Sequence, residues 1–294
     1  MKKNLKMQLK QTAIYAHGSA KTRAARVVKV GNLATYLKKH NIQINHIEQI
    51  KAKYIEDYIQ ERKTQGINLR TLQNDMAAIR QTLRAAGRGK LANSERISNK
   101  TLGLAGASRA GNKIAIPDNQ YHQIQQKAFA LNPALAATIE IARTFGLRGE
   151  EAVQSCQSLK TWKAVIEKGE NKIKVVFGTK GGRSRETIIL DKHRALNAVN
   201  TALQITENQN GKLINTANLK QAMTYWHNHC DAIGLNGLIS PHSLRYAFAQ
   251  DVMTYYLAQG HTKKEALALT SMDLGHGDGR GRYVEKVYSL KGGQ

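Results

Sequence analysis

The stretch NKIKVVFGTKGGRSRETIIL, residues 171–190, differs in kind from the sequence around it. Two runs rich in β-branched residues flank a glycine-rich turn, and this pattern predicts a β-hairpin. The segments on either side instead carry apolar residues at helical spacing. In residues 240–260, for example, Ser240 is positioned to cap a helix and Pro241 lies in its first turn. One hairpin among many helices predicts a mainly α protein with a small antiparallel β-sheet.

The N-terminal third also has helical patterns, and residues 68–87 give the clearest one, with Gly87 as its end. The apolar residues of its predicted buried face are Leu69, Leu72, Met76, Ile79 and Leu83. Arg70, Arg80 and Arg84 then fall on exposed flanks of the helix. They either form an ordinary solvated face or contact phosphate groups, and the scarcity of acidic residues nearby favours phosphate contact.

The composition changes between residues 88 and 112, where glycines, small polar residues and basic residues alternate without clear periodicity. Such a segment predicts a linker between domains. The sequence therefore indicates a helical domain over residues 1–87 and a second, mostly helical domain over residues 113–294, which contains the hairpin.

The charge balance points to a polyanionic partner. Lys and Arg number 45 against 21 Asp and Glu, a net charge of +24. Residues 1–110 hold 22 basic and 6 acidic side chains, net +16, and residues 111–294 hold 23 and 15, net +8. Nucleic acid is favoured over a membrane surface, because a membrane binder concentrates its charge on one amphipathic helix.

No apolar run approaches the length of a membrane span, and the N-terminus lacks the apolar core of a signal peptide. We therefore expect a cytoplasmic protein without a membrane partner. Two cysteines, Cys156 and Cys230, are too few for a disulfide framework. The HNHC run at residues 227–230 lacks further ligands at suitable spacing, so no metal or other cofactor is expected.

Three short motifs carry groups that could act on a phosphate. His242 and Arg245 are three residues apart on a predicted helix and so share a face. Arg148 opens another helix three residues before Glu151, and Lys180 lies in the hairpin turn. Each motif alone has an ordinary alternative, namely a surface pair, an i,i+3 salt bridge or a basic turn. Arginine offers a bidentate fork to phosphate, whereas lysine is better suited to transfer a proton.

Taken in order, the motifs are far more specific. GLRGEE, TKGGRSRETIIL, HSLR, LGH and a tyrosine near the C-terminus follow one another over residues 144–288. This order resembles the tyrosine site-specific recombinases, the phage integrase family. The resemblance implies a helical DNA-binding domain followed by a mostly helical catalytic domain over residues 113–294. The N-terminal domain resembles its counterpart only in size, charge and helicity.

The resemblance also implies roles for individual residues. Arg148 and Arg245 would clamp the scissile phosphate, and Glu151 would orient the region around Arg148. Lys180 would protonate the leaving 5′ oxygen. His242 and His276 would hydrogen-bond the phosphate and help to accept the proton of the tyrosine. That tyrosine would attack phosphorus and form a 3′-phosphotyrosyl link, without a metal ion.

The nucleophile is the one position at which the sequence departs from the family. A common spacing places the tyrosine nine residues after the histidine of LGH, which here is Glu285. Tyr283 lies at seven residues from His276 and Tyr288 at twelve. Tyr288 is favoured because an apolar residue precedes it, as in relatives, and because the glycine-rich loop GDGRG can absorb the added length. Tyr283 is the alternative, since it needs no added loop.

The resemblance implies double-stranded DNA attachment sites as partners and a homotetramer assembled on two such sites. Accessory DNA-bending proteins, association with the nucleoid and a prokaryotic, phage or mobile-element context belong to the same expectation. Only six residues follow Tyr288, which leaves little room for a segment that docks on a neighbouring subunit. Two alternatives stay open: a decayed member that acts as an architectural DNA-binding protein, and a monomeric enzyme that relaxes DNA or forms hairpins by the same chemistry.

Overall fold

The computed structural model describes residues 4–108 and 111–288. The chain divides after Ser108 into two compact units, in agreement with a two-domain protein. Within the described ranges, no helix is both long and apolar enough to cross a membrane.

The first unit is helical throughout. Its helices are α1 (Leu5–Tyr15), α2 (Ala20–Lys39), α3 (Ala52–Thr64), α4 (Leu69–Ala85) and α5 (Gly89–Ala92). Helix α4 confirms the clearest prediction: the Asn68 side chain caps it by accepting from the Arg70 backbone N–H, and four of the five predicted apolar residues are buried. Helix α1 was not predicted, because three buried residues at intervals of four, from Leu5 to Ala13, lie among lysines and glutamines.

The segment predicted as a linker, residues 88–112, contains buried residues. Ala92, Ile97 and Leu104 are buried in the core of the first unit, so most of this segment belongs to that unit. The guanidinium of Arg80 donates to the Ile97 carbonyl at 3.1 Å and helps to hold the segment in place. The three buried residues are five and seven positions apart, and such spacing gives neither a helical nor a strand period.

The second unit is mainly helical around a two-stranded sheet. Its elements are α6 (Asp118–Leu131), α7 (Pro133–Thr144), α8 (Gly149–Gln154), α9 (Leu159–Glu167), β1 (Lys172–Val175), β2 (Arg185–Ile188), α10 (Lys192–Glu207), α11 (Leu219–Ala232), α12 (Pro241–Ala258), α13 (Lys263–Asp273) and α14 (Gly281–Tyr288). Helices α6–α11 enclose the larger apolar core, and α12–α14 enclose a second, smaller one.

The predicted hairpin is present. Strands β1 and β2 pair antiparallel, with Lys172 opposite Ile188 and Val175 opposite Arg185. The fold is therefore mainly α with one small antiparallel sheet, as the sequence predicted. The turn of this hairpin, the start of α8, the start of α12 and the α13–α14 loop contribute residues to one cleft.

Candidate active site

A tight loop between α7 and α8 positions Arg148. Gly146 has φ +58°, and a Cβ added there would lie 2.2 Å from a ring carbon of Phe248, so only glycine fits. Arg148 is the N-cap residue of α8, and Glu151 lies at the third position of that helix. One Glu151 carboxylate oxygen accepts from the Arg148 backbone N–H at 2.9 Å, and the other accepts from Nη1 at 2.6 Å. This carboxylate therefore fixes both the backbone and the side chain of Arg148.

Glu151 is also the centre of a buried ion cluster. Its side chain is 0% exposed, with Arg185 Nη2 at 2.9 Å and Arg245 Nη1 at 3.9 Å. Burial alone would raise the pKa of Glu151, but Arg185, followed by Arg245 and Arg148, outweighs burial and lowers the pKa to about 2. The carboxylate is thus ionised at neutral pH. It offsets one of the three arginine charges, so the cluster keeps a net charge of +2.

Arg245 is fully buried at the centre of the second unit. Its Nη1 donates to the Gly146 carbonyl and its Nη2 donates to the Leu274 carbonyl. Burial, followed by the charge of Arg185, lowers the pKa of Arg245 to about 10, so the guanidinium stays charged at neutral pH. Its Nε lies 3.5 Å from the Tyr288 hydroxyl oxygen. Arg245 thereby connects the loop before Arg148, the loop after α13 and the end of α14.

Two histidines contribute to the same cleft from different elements. His242 lies in the first turn of α12, and His276 follows α13, with its backbone N–H donating to the Ser271 carbonyl at 2.9 Å. Desolvation, followed by the charges of Arg245 and Arg148, lowers the pKa of His242, although its side chain is exposed in the cleft. The same causes in the same order lower the pKa of His276 to about 3. Both imidazoles are therefore neutral at pH 7, and each can accept a proton.

Tyr288 ends helix α14 on the buried face of that helix. It lies beside Val284 and Val287, which are buried too, so the valines seat the helix. The Tyr288 hydroxyl oxygen is 3.0 Å from Nε2 of His276. The Tyr288 ring packs against that of Tyr246, with 4.6 Å between ring centroids. The hydroxyl of Tyr288 therefore meets a neutral imidazole on one side and the Arg245 guanidinium on the other.

Tyr283, the alternative nucleophile, has different surroundings. It is 38% exposed, and its ring meets that of His276 edge-on at 4.9 Å. Its hydroxyl forms no hydrogen bond with any part of the chain that the structure describes. Glu285, at the common family spacing, instead pairs with Lys263 at 2.6 Å.

The cleft has a volume of about 780 Å³ and a strongly basic wall. Besides Arg148, both histidines and both tyrosines, Lys180, Arg183 and Arg280 line it. Lys180 is exposed in the hairpin turn and forms no ion pair within residues 4–108 and 111–288. Six of the eight candidate site residues of the second domain thus line the cleft, and Glu151 and Arg245 contact Arg148 and Tyr288. Across the same two ranges, no group of three or more His, Cys, Asp or Glu residues is arranged to hold a metal ion.

Two family profiles match the chain. The profile described as "Integrase" matches residues 103–251, half of the chain, and the profile described as "Phage integrase, N-terminal" matches residues 1–92. The chain belongs to the phage integrase family. This identification agrees with the resemblance that the motif order gave, since members of this family are tyrosine site-specific recombinases. A comparison with curated proteins found no match.

Solved structures of integrases and recombinases share the fold of this family member. A lambda integrase dimer bound to a COC′ core site matches with 15% identity and a TM-score of 0.65, over 99% of this chain and 79% of that one. XerH recombinase bound to a palindromic difH substrate matches with 17% identity and a TM-score of 0.58, over 91% and 75%. The Tn1549 transposon integrase bound to transposon right end DNA matches with 12% identity and a TM-score of 0.58, over 99% and 96%.

Arg185 belongs to the same buried cluster, and the sequence motifs did not indicate it. The hairpin drew attention to Lys180 in its turn, yet Arg185, at the start of β2, is the hairpin residue that contacts Glu151. A signal was present in the sequence: Arg185 and Thr187 alternate with Glu186 and both face inward in β2. An arginine on the buried face of a strand requires charged or polar partners.

The three arginines predicted to contact DNA lie in the first unit and have unequal surroundings. Arg70 is exposed and donates to Gln73 at 3.0 Å, and Arg84 is exposed and donates to Asn93 at 2.9 Å. Arg80 is partly buried and uses its guanidinium to hold the segment after α5. Contact between these side chains and phosphate groups stays a prediction.

Proposed function

We propose that this integrase-family protein cleaves and rejoins duplex DNA through a 3′-phosphotyrosyl intermediate, with Tyr288 as the nucleophile. One observation carries the proposal: the Tyr288 hydroxyl lies 3.0 Å from Nε2 of His276, in a cleft whose basic groups include Arg148 and Lys180. A hydroxyl beside a neutral base and a cationic anion site is the arrangement that nucleophilic attack on a phosphodiester requires.

The excess positive charge around Glu151 favours a bound phosphodiester. Arg148 is the member of the cluster with access to solvent, since 23% of its side chain is exposed, and its fork can donate to a non-bridging phosphate oxygen. Arg245 is buried and adds its charge at short range. Preorganised cations of this kind stabilise the charge that develops on the non-bridging oxygens in the transition state. The scheme therefore needs no metal ion for charge neutralisation.

The covalent step that we propose uses Tyr288, His276 and Lys180, which line the same cleft. The Tyr288 oxygen forms a bond to phosphorus while its proton passes to Nε2 of His276, in the tautomer that carries hydrogen on Nδ1. The bond from phosphorus to the 5′ oxygen breaks, the electron pair stays on that oxygen, and Lys180 donates a proton to it. Rejoining reverses these steps: a 5′ hydroxyl attacks the phosphotyrosine and the phenolate takes the proton back.

Duplex DNA sites and a tetramer are the partners that we propose, and three solved relatives support them. The lambda, XerH and Tn1549 structures each contain DNA, and a lambda integrase tetramer is bound to a Holliday junction. The net charge of +24 suits a duplex partner. The intact set of groups around Tyr288 speaks against the alternative of a decayed site.

The wild-type protein is expected to form a covalent complex with nicked duplexes tiled across the DNA that flanks its gene. A nick a few nucleotides beyond the cleavage site lets the short downstream fragment, which carries the new 5′ hydroxyl, diffuse away, so the phosphotyrosine accumulates. The reaction is run with EDTA, and the ends are analysed after protease digestion. We expect protein on the 3′ end and a free 5′ hydroxyl. Protein on the 5′ end, or no adduct on any duplex, would contradict the proposal.

Lys180→Ala is expected to slow cleavage by about 10²-fold, a typical value for the loss of a general acid. A substrate with sulfur in place of the bridging 5′ oxygen should restore the rate, because a thiolate leaves without protonation. The comparison variant is Arg183→Ala in the same turn. Rescue of Arg183→Ala by sulfur, with normal cleavage by Lys180→Ala, would transfer the proton donor to Arg183.

A further inference from the structure

We propose that Arg185 is a positioning residue for the phosphate site, one that holds Arg148 and His276 in register through Gly146, Glu151 and the loop after α13. The inference rests on the proposed function, because it concerns the geometry of the same cleft. Neither the motif order nor the resemblance assigned a role to this residue.

The guanidinium of Arg185 joins three acceptors that all lie far from it in the sequence. Its Nη1 donates to the Asp273 carbonyl at 2.5 Å, 88 residues away. Its Nη2 donates to the Gly146 carbonyl at 3.2 Å and to a Glu151 carboxylate oxygen at 2.9 Å, which lie 39 and 34 residues away. Only 5% of the side chain is exposed. One planar group therefore fixes the end of α13, the loop before α8 and the first turn of α8.

Each of these acceptors either contacts a group proposed to act on the phosphate or lies a few residues from one. Glu151 holds both the backbone and the side chain of Arg148. The Gly146 carbonyl also accepts from Arg245. Asp273 is the last residue of α13, three positions before His276. A shift of Arg185 would thus displace both the arginine fork and the base that faces Tyr288.

The glycine of the LGH motif is explained by the same side chain. Gly275 has φ +65°, and a Cβ added there would lie 2.4 Å from Cδ of Arg185. The loop that carries His276 is therefore packed directly on the Arg185 stem, without room for a side chain between them. Arg185 therefore restrains the loop of residues 274–276 by direct packing as well as by its hydrogen bond to Asp273.

Arginine suits this position better than lysine. The guanidinium offers five donors in a rigid fork, whereas an ammonium group is a compact point charge at the end of a flexible chain. The Arg185 guanidinium can therefore donate to the Asp273 and Gly146 carbonyls and to the Glu151 carboxylate at the same time. The charge matters as well, because Arg185 holds Glu151 ionised and contributes, after Arg245 and Arg148, to the low pKa of His276.

Arg185→Lys and Arg185→Met are the test variants, and Arg194→Gln is the matched control. Arg194 forms an ion pair with Glu140 at 2.7 Å and does not line the cleft. We expect Arg185→Lys to cleave at least tenfold more slowly than wild type, and Arg185→Met more slowly still. Both should retain cooperative thermal unfolding and DNA affinity within about twofold, because Arg185 is barely exposed. Arg194→Gln should cleave at the wild-type rate.

A histidine titration distinguishes positioning from a general loss of structure. In Arg185→Met the loss of a positive charge should raise the pKa of His276, measured by NMR and assigned with His276→Gln. The same loss should raise the pKa of Glu151. A protonated His276 accepts no proton and a protonated Glu151 releases Arg148, so the acidic limb of the cleavage profile should move to higher pH. Arg185→Lys keeps the charge and should show a smaller movement.

The outcomes separate this inference from the proposed function. If wild type forms no covalent adduct, the proposed function fails, and the NMR titration still tests whether Arg185 acts on His276. If wild type cleaves and Arg185→Lys matches it, or if slow cleavage in Arg185→Met comes with an unmoved His276 titration, the positioning role is wrong. Rescue of Arg185→Lys by the bridging-sulfur substrate would also overturn it, because the defect would then lie in departure of the 5′ oxygen.

Discussion

Tyr288→Phe is expected to abolish the covalent protein–DNA adduct, whereas Tyr283→Phe is expected to retain it. Only the Tyr288 hydroxyl is hydrogen-bonded to His276, at 3.0 Å, and lies near the Arg245 guanidinium. Phenylalanine keeps the ring and removes the nucleophilic oxygen, so no bond to phosphorus can form. The measurement is the amount of protein that remains attached to a nicked duplex after denaturation, for wild type and each variant.

Two controls guard this comparison against unfolding. The Tyr288 ring packs against Tyr246 and stays in place as phenylalanine, so the lost hydroxyl contacts should cost only about 1 kcal/mol of stability. Thermal unfolding and affinity for intact duplex DNA are therefore expected to stay close to wild type in both variants. An adduct that persists in Tyr288→Phe and disappears in Tyr283→Phe would transfer the nucleophile to Tyr283. An adduct in both variants would refute the tyrosine mechanism.

The local features of the fold were predictable because they depend on near neighbours in the sequence. The hairpin of residues 171–190 has its two β-branched runs and its glycine turn within twenty residues. Helix α4 has its cap, its apolar stripe and its end in one segment. Helix α1 and the segment after α5 escaped prediction for the opposite reason. Their few apolar residues become buried only through contacts with other helices, and their own patterns are too sparse to reveal this.

The candidate site residues also differ in whether they depend on near or distant neighbours in the sequence. Arg148, His242, Arg245 and His276 could be chosen because they stand in short motifs whose order is specific. Arg185 could not be chosen in that way, since its partners lie 34 to 88 residues away and only the folded chain brings them together. The burial of Tyr288 could be predicted from helical spacing, because Val284, Val287 and Tyr288 share one face of α14. All three are buried in the structure.

Arg148→Lys is expected to lower the rate of cleavage by about 10²-fold or more, the typical cost of removing one preorganised donor from an anion site. Lysine keeps the positive charge but cannot donate to Glu151 and to a phosphate oxygen with one rigid fork. Since 23% of the Arg148 side chain is exposed, the variant should fold normally and bind duplex DNA with nearly unchanged affinity. Single-turnover cleavage on the nicked duplex, compared with binding to intact duplex, measures the difference.

Arg245→Lys is expected to reduce cleavage to a similar extent, but at an additional cost in stability. Arg245 is fully buried, and its two Nη atoms donate to the carbonyls of Gly146 and Leu274. Lysine has a single nitrogen in place of these two and does not reproduce the same spacing. Loss of one buried hydrogen bond from a charged donor costs about 1.5–3 kcal/mol, so this variant should unfold at a clearly lower temperature than Arg148→Lys. The two substitutions thus separate direct contact with phosphate from the support of the site. Near-normal cleavage by Arg148→Lys would contradict its contact with the phosphate, and near-normal cleavage by Arg245→Lys would contradict its support of the site. Equal melting temperatures would contradict the buried role of Arg245.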